Sequence, residues 1–136
     1  MKLDFEKILK DGGLRNTPSR CMILDVLYKF GKPVSAEDIY GKLKNKMDEA
    51  TVYRTLSSFL EKGIIRQVNL RKDSVYFELN NDHHHHMVCT KCGDIEDFKE
   101  SNEIEKILGR IVEKSSRFKI INEHSLEIFG LCSKCS

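Results

Sequence analysis

Two Cys-x-x-Cys pairs constrain this chain more than anything else in it. Cys89 and Cys92 ("CTKC") are followed, after the 39 residues from Gly93 to Leu131, by Cys132 and Cys135 ("CSKC"). Each pair turns two sulfurs toward one centre. Two such turns make the closed four-thiolate set that zinc prefers in structural sites, with Zn–S about 2.3 Å. Gly93 suits the tight knuckle after the first pair. A single Cys-x-x-Cys is equally consistent with redox chemistry; a second, also with lysine in third place, favours a structural metal. The segment between the pairs has room for a strand ("GDIEDF"), a helix ("NEIEKILGRIVEKS", with Ile104, Ile107, Leu108 and Ile111 at helical spacing) and a strand–turn–strand ("FKIINEHSLEIFG"). A metal would then clamp the last strand to the first and fasten a small α/β domain shut. The fifth cysteine, Cys21, falls inside a predicted helix and reads as a small buried side chain.

Four consecutive histidines, His83 to His86, stand just before the first pair in "NNDHHHHMVCTKCGD". A purification tag is normally terminal and longer. In an extended segment alternate side chains point to opposite faces. His83 and His85 would then face one way and His84 and His86 the other, enough for two mononuclear sites. Solvated loop histidines are the plain alternative. Carboxylates at nearby strand positions, Glu78 and Asp97, favour metal, as does His124, isolated between Glu123 and Ser125. Mixed imidazole and carboxylate donors suit Fe(II), Mn(II) or Zn(II).

The N-terminal half has a different grammar. "MKLDFEKILKDGG" reads as an amphipathic helix carrying acids. In "TPSRCMILDVLYKFG", Thr17 is an N-cap and Pro18 suits the first helical turn. Met22, Ile23, Val26, Leu27 and Phe30 recur at helical spacing and Gly31 stops the helix. Ser35 with Asp38 resembles a capping box at the start of "SAEDIYGKL". "DEATVYRTLSSFLEKG" places Val52, Leu56, Phe59 and Leu60 on one face, with Gly63 as its stop. Two strand-like runs follow, "IIRQVNL" and "SVYFEL", parted by the polar turn "RKD". Helices followed by a hairpin predict a winged helix-turn-helix, whose third helix is the natural reader of the DNA major groove. Its start offers Thr51, Tyr53 and Arg54. Arginine can hold guanine through two hydrogen bonds, and threonine and tyrosine can reach phosphates.

Size and charge fit this division. A chain of 136 residues, 40% hydrophobic, makes one or two small domains. Each half would be marginal alone, so dimerisation would help. The net charge of +2 resolves into +4 for residues 1–80 and −2 for residues 81–136; chance gives such a split as readily as a DNA-contacting half and an acidic, metal-collecting half do. The expected domains are therefore 1–80 and 81–136. No apolar run approaches the 18 residues of a membrane span, and the N-terminus lacks the apolar core of a signal peptide. These features, with paired cysteines better suited to metal than to disulfides, point to the reducing cytoplasm.

As a set, "GLRNTPSR", "SAEDIY", "ATVYRTLSSFLEKGII", "FEL", "HHHHMVCTKCGDIEDF" and "HSLEIFGLCSKC" resemble the ferric uptake regulator (Fur) family of bacterial metal-responsive repressors over nearly the whole chain. The likeness implies an α+β protein: an N-terminal winged helix-turn-helix on DNA and a small α/β dimerisation domain with a four-cysteine zinc site. It implies a homodimer on double-stranded operator DNA, with no membrane and no small-molecule substrate as partners. Cys89, Cys92, Cys132 and Cys135 match the structural zinc ligands. Glu78, His84, His86 and Asp97 match a regulatory site at the interdomain hinge, for Fe(II), Zn(II) or Mn(II). His83, His85, Glu105 and His124 match a second site, with Glu103 an alternative to Glu105. Tyr53 and Arg54 match recognition-helix contacts; Thr51 and Arg15 join them as DNA-contact candidates.

One position departs from many iron- and peroxide-responsive members. Lys32 stands where they have a histidine before the proline of "GKPVSAEDIY", and a protonated lysine cannot ligate. Asp97 resembles the peroxide sensors, the histidine run resembles zinc sensors, and Glu78 stands where several zinc sensors have cysteine. The resemblance implies a repressor of metal-uptake or oxidative-stress genes in which hinge metal switches operator binding. The alternatives are a zinc-uptake or peroxide-sensing regulator within the family, a metalloenzyme with an open coordination position, or a zinc-stapled interaction module. No acid–base or nucleophile set stands out beyond the ligands, so the expectation is a regulator and not an enzyme.

Overall fold

In a computed structural model, residues 4–80, 83–99 and 101–136 are described. The chain forms two compact units, Met1–Asp82 and His83–Ser136. The boundary expected between residues 80 and 81 abuts residues 81 and 82, which lie outside the described residues, as do residues 1–3 of the expected first helix.

The first unit contains α1 (Phe5–Asp11), α2 (Pro18–Phe30), β1 (Val34–Ser35), α3 (Ala36–Leu43), α4 (Glu49–Glu61), β2 (Ile65–Val68) and β3 (Tyr76–Leu79). Local signals set each helix start. The Thr17 hydroxyl accepts from the Arg20 amide, with Pro18 in the first turn. Ser35 and Asp38 form a reciprocal capping box. The Asp48 carboxylate accepts from the Thr51 amide at 2.8 Å. Gly31 and Gly63 end α2 and α4 at φ of 72° and 73°, a left-handed geometry that glycine adopts without the Cβ clash of other residues.

Strands β2 and β3 pair antiparallel from Ile65↔Leu79 to Val68↔Tyr76, with Arg71 left-handed in the turn between them. The sequence had not marked β1, which pairs with β3 through Val34↔Phe77 and Ser35↔Tyr76 and gives the order β1-β3-β2. Two residues are too few to show a period; β3 confers the extended form. The buried faces of α2, α3 and α4 meet the hairpin in one core around Ile23, Leu24, Ile39, Val52, Leu56 and Phe59. Cys21 packs partly buried against this core, its thiol donating to Asn16 Oδ1 at 2.9 Å.

The second unit contains β4 (His85–Cys89), β5 (Ile95–Phe98), α5 (Asn102–Glu113) and β6 (Glu127–Gly130). Its sheet has the order β5-β4-β6, with β4 antiparallel to β5 and parallel to β6. The central strand thus begins with His85 and His86, the last two of the four histidines. The expected strand–turn–strand over residues 118–130 is half realised. Residues 118–126 adopt no strand, and Phe118, Ile120 and Ile121 are exposed. A run of strand-forming residues becomes a strand only when a neighbour supplies the ladder, and the described part of this chain supplies none. Helix α5 has its apolar positions on one face yet buries no residue; Ile107 and Ile111 are at least half exposed. Among the described residues, no helix is long and apolar enough to cross a membrane.

Phe59 is fully buried at the centre of the first unit. Phe59→Ala is expected to lower stability by about 3–5 kcal/mol, the cost of deleting a core phenyl ring. Urea unfolding followed by circular dichroism measures it.

Candidate metal centres and nucleic-acid face

Cys89 is the last residue of β4, and the chain then turns through Gly93 at φ 79° into β5. The Gly93 amide donates to the Cys89 carbonyl at 2.9 Å and the Cys89 amide to the Asp94 carbonyl at 2.8 Å, closing the first knuckle. Cys132 and Cys135 follow β6, which lies directly beside β4, and the Thr90 amide donates to the Gly130 carbonyl at 2.8 Å. The parallel β4–β6 ladder therefore brings the two pairs together. The four sulfurs lie within 4.8 Å of one another, and Cys92 Sγ and Cys132 Sγ are 3.7 Å apart. The sequence reading had the clamp join the first and last of its expected strands; it joins the central strand β4 to the tail after β6.

The donors fit a tetrahedral zinc ion. Zinc–sulfur bonds of about 2.3 Å place tetrahedral sulfurs about 3.8 Å apart, close to the Cys92–Cys132 spacing and well beyond the roughly 2 Å of a disulfide. The electrostatics agree. Amide hydrogen bonds, first from Cys92 and then from Cys132, lower the Cys89 thiol to about 6. The Cys132 side chain first, then burial, push Cys135 up to about 12. Cys89 ionises readily while Cys92 and Cys135 resist, and a cation at the centre would favour the thiolate form of each.

Side chains alternate along residues 83–86, the last two of them in β4, and this sorts the histidines. His86 stands opposite Asp97 in the β4–β5 ladder. His86 Nε2 is 3.6 Å from Asp97 Oδ1, and His84 Nε2, two residues earlier on the same face, is 3.9 Å from Asp97 Oδ2. On the other face His83, His85 and His124 converge, each offering a ring nitrogen within 4.8 Å of the others. The Leu126 amide donates to His85 Nδ1 at 3.2 Å. His85 and His86 are each 2% exposed, so neither is a solvated loop residue. Glu103 and Glu105 stand exposed in the first turn of α5, and neither belongs to the three-histidine group. In the first unit, Glu78 lies buried on β3 opposite Arg66 of β2, whose Nη2 is 2.6 Å from Glu78 Oε1. Lys32 lies over the Phe30 ring, 5.8 Å from its centroid.

The nucleic-acid candidates cluster at the start of α4. Asp48 caps the helix, and the Thr51 hydroxyl and then the Thr51 amide hold its carboxyl below the usual range. Arg54 Nη2 donates to Thr51 Oγ1 at 3.4 Å, which aims the guanidinium along the exposed face. Tyr53 is 42% exposed, and its hydroxyl donates to Glu37 Oε1 of α3 at 3.2 Å. Arg15, Thr17, Ser19, Arg20, Thr51 and Thr55 line an open basin of about 380 Å³. The sequence reading had not marked Arg20, Glu37 or Arg66. Glu37 and Tyr53 are 16 residues apart, and Arg66 and Glu78 are 12 apart; no local pattern announces such pairs.

A winged helix followed by a domain of clustered thiols and strand-alternated histidines defines a class: DNA-binding regulators that collect metal. Residues 11–129 match the profile of the ferric uptake regulator family. The ferric uptake regulation protein of Neisseria gonorrhoeae is 38% identical over 132 residues, covering 93% of this chain and 90% of its own length. The peroxide operon regulator of Bacillus subtilis is 35% identical over 133 residues, covering 94% and 88%. Among solved structures, the Helicobacter pylori ferric uptake regulator, described as having three functional metal-binding sites, superposes with a TM-score of 0.80 at 29% identity, covering 99% of this chain and 97% of that one. The chain belongs to the ferric uptake regulator family.

Cys89→Ser and Cys132→Ser are expected to lose tightly held zinc and to cost several kcal/mol of stability, because binding energy at such a site is folding energy. Cys21→Ser, outside the four-cysteine group, is expected to keep its zinc. Metal analysis of the purified variants with thermal unfolding checks this; a zinc-loaded, stable Cys89→Ser would remove the assignment.

Proposed function

We propose that this chain is a metal-responsive transcriptional repressor that binds operator DNA as a homodimer in the cytoplasm. One observation carries the reading. In a chain whose first unit is a winged helix, the start of β4 and the two residues before it present His84 and His86 with Asp97 as one group and His83 and His85 with His124 as another. Such a strand can hold two separate ions beside the four-cysteine zinc.

The regulatory ligands in this reading are Glu78, His84, His86 and Asp97. A divalent cation supplies the positive charge that holds two imidazoles and two carboxylates at one centre, and this donor set suits Fe(II), Zn(II) or Mn(II). His84, His86 and Asp97 already share a face. Glu78 precedes His84 by six residues, at most about 20 Å of extended chain, so its carboxylate is within tether of them. Because Glu78 belongs to the DNA-binding unit, its ligation links the cation equilibrium to the operator equilibrium, and each affinity rises with the other. His83, His85 and His124 form the second site, with Glu105 or Glu103 as its carboxylate. Lys32, on the Phe30 ring, contributes no ligand. The targets in this reading are metal-uptake or oxidative-stress genes.

The dimer surface is the exposed apolar set of the second unit: Ile107 and Ile111 on α5, Phe118, Ile120 and Ile121 after it, and Ile128 on β6. An amphipathic helix that buries nothing in its own chain has a face to cover. DNA is met by α4, with Arg54 for a base edge and Arg15, Thr51 and Tyr53 beside it.

Both halves of the reading can be tested with a duplex that the chain itself selects from a randomised library. Arg54→Ala is expected to lower affinity for that duplex by about 1–3 kcal/mol with metal content unchanged. Binding should also weaken steeply as salt rises, because bound phosphates shed counterions. Alanine at His84 or His86 is expected to abolish the metal response of DNA binding, and alanine at His83 or His85 to shift it. Fluorescence titrations of metal into each protein–duplex mixture measure both, and four variants behaving alike would leave one site or none.

A further inference from the structure

Tyr53 stands on the exposed face of α4 with its hydroxyl proton already committed. Its Oη donates to Glu37 Oε1 at 3.2 Å, from the recognition helix to the helix before it. The packing around the ring, and then the Glu37 hydrogen bond, raise the phenol's pKa above its usual value of 10.0, and the 3.2 Å contact turns the hydroxyl proton toward Glu37. A carboxylate can only accept, so the direction of this bond is fixed by chemistry. A phenol oxygen has one proton. Once that proton points at Glu37, the side of the oxygen turned to solvent carries lone pair only. Such an oxygen is a poor partner for a phosphate, which also offers acceptors alone. It matches a hydrogen-bond donor, and the donors that bases present in the major groove are the exocyclic amino groups of adenine and cytosine.

We infer that Glu37 is a specificity-determining residue: by taking the Tyr53 hydroxyl proton it converts a side chain that could grip phosphate into one that reads a base amino group of adenine or cytosine. Glu37 itself touches no base in this account; it acts through Tyr53. It also sets a negative charge on the DNA-facing side, which disfavours a backbone contact at this point and leaves backbone grip to Arg15, Arg20 and the hydroxyls lining their basin. The inference rests on the reading of α4 as the recognition helix.

The full-length chain, with manganous ion added, is allowed to select from a duplex library with a randomised central segment, and the retained pool is sequenced. The same selection is run with Glu37→Gln, Glu37→Ala, Tyr53→Phe and the Glu37→Ala/Tyr53→Phe pair, each checked for a native unfolding transition. Glu37→Gln keeps a carbonyl acceptor for the phenol and is expected to retain the native base preferences. Tyr53→Phe is expected to lose one adenine or cytosine preference per half-site by roughly three- to tenfold, the worth of one neutral hydrogen bond. Glu37→Ala is expected to lose the same preference at the same position, and the pair no more than Tyr53→Phe alone, the non-additivity of residues acting as a unit. Three results would overturn the inference: Glu37→Ala keeping the native pattern while retaining every sequence more strongly, Glu37→Gln behaving like Glu37→Ala, or Tyr53→Phe keeping the preference. A native chain that selects no sequence would instead remove the DNA reading itself, and the inference with it.

Discussion

The ladder that β4 makes on both sides organises everything the second unit does. A strand flanked by β5 and β6 cannot slip by one residue without moving every side chain to the opposite face. With that register held, a run of four histidines becomes two pairs. His86 is locked opposite Asp97, and His85 meets the Leu126 amide on the other side. The same strand ends in Cys89, and its parallel neighbour β6 runs on into Cys132. One strand thus supplies donors to three sets, and its pairing keeps sulfur apart from imidazole and carboxylate.

The two units differ in how they stay folded. The first buries a continuous apolar core in which Phe59, Leu9, Ile23, Leu24 and Ile39 are fully enclosed. In the second, among the described residues, Val88 and Cys89 are the buried apolar ones, beside the buried His85 and His86. A unit of 54 residues with so little apolar burial falls below what a hydrophobic core alone can stabilise. On the function proposed above, metal at the cysteines and a second copy over α5 and residues 118–121 add the missing stability. Folding, metal loading and assembly of this unit are one linked equilibrium in that proposal.

Much of this was legible in the sequence where the signal was local. Thr17–Pro18, the Ser35/Asp38 box and the glycine stops at Gly31 and Gly63 each report on a few neighbouring residues, and each is found in place. The cysteine spacing and the histidine parity were legible because a tetrahedral thiolate set and a two-residue strand period are rigid rules. What failed depended on partners far along the chain or outside it. β1 is a strand because β3 lies beside it. Residues 118–121 have the composition of a strand but no ladder within the described chain. The Glu37–Tyr53 and Arg66–Glu78 pairs are products of helix packing and strand register, and no single segment carries either.

β4 and the residues beside it keep sulfur and imidazole donors in separate groups, and in the proposed function one ion serves structure and the others response. Zinc X-ray absorption of the gently purified chain tests it directly, first as isolated and then after a second equivalent of zinc. The tightly held ion is expected to show four sulfur neighbours at about 2.3 Å and the added ion only nitrogen and oxygen neighbours at about 2.0–2.2 Å. A tightly held ion with mixed sulfur and nitrogen neighbours would contradict it, because one strand would then be feeding both donor types to a single centre.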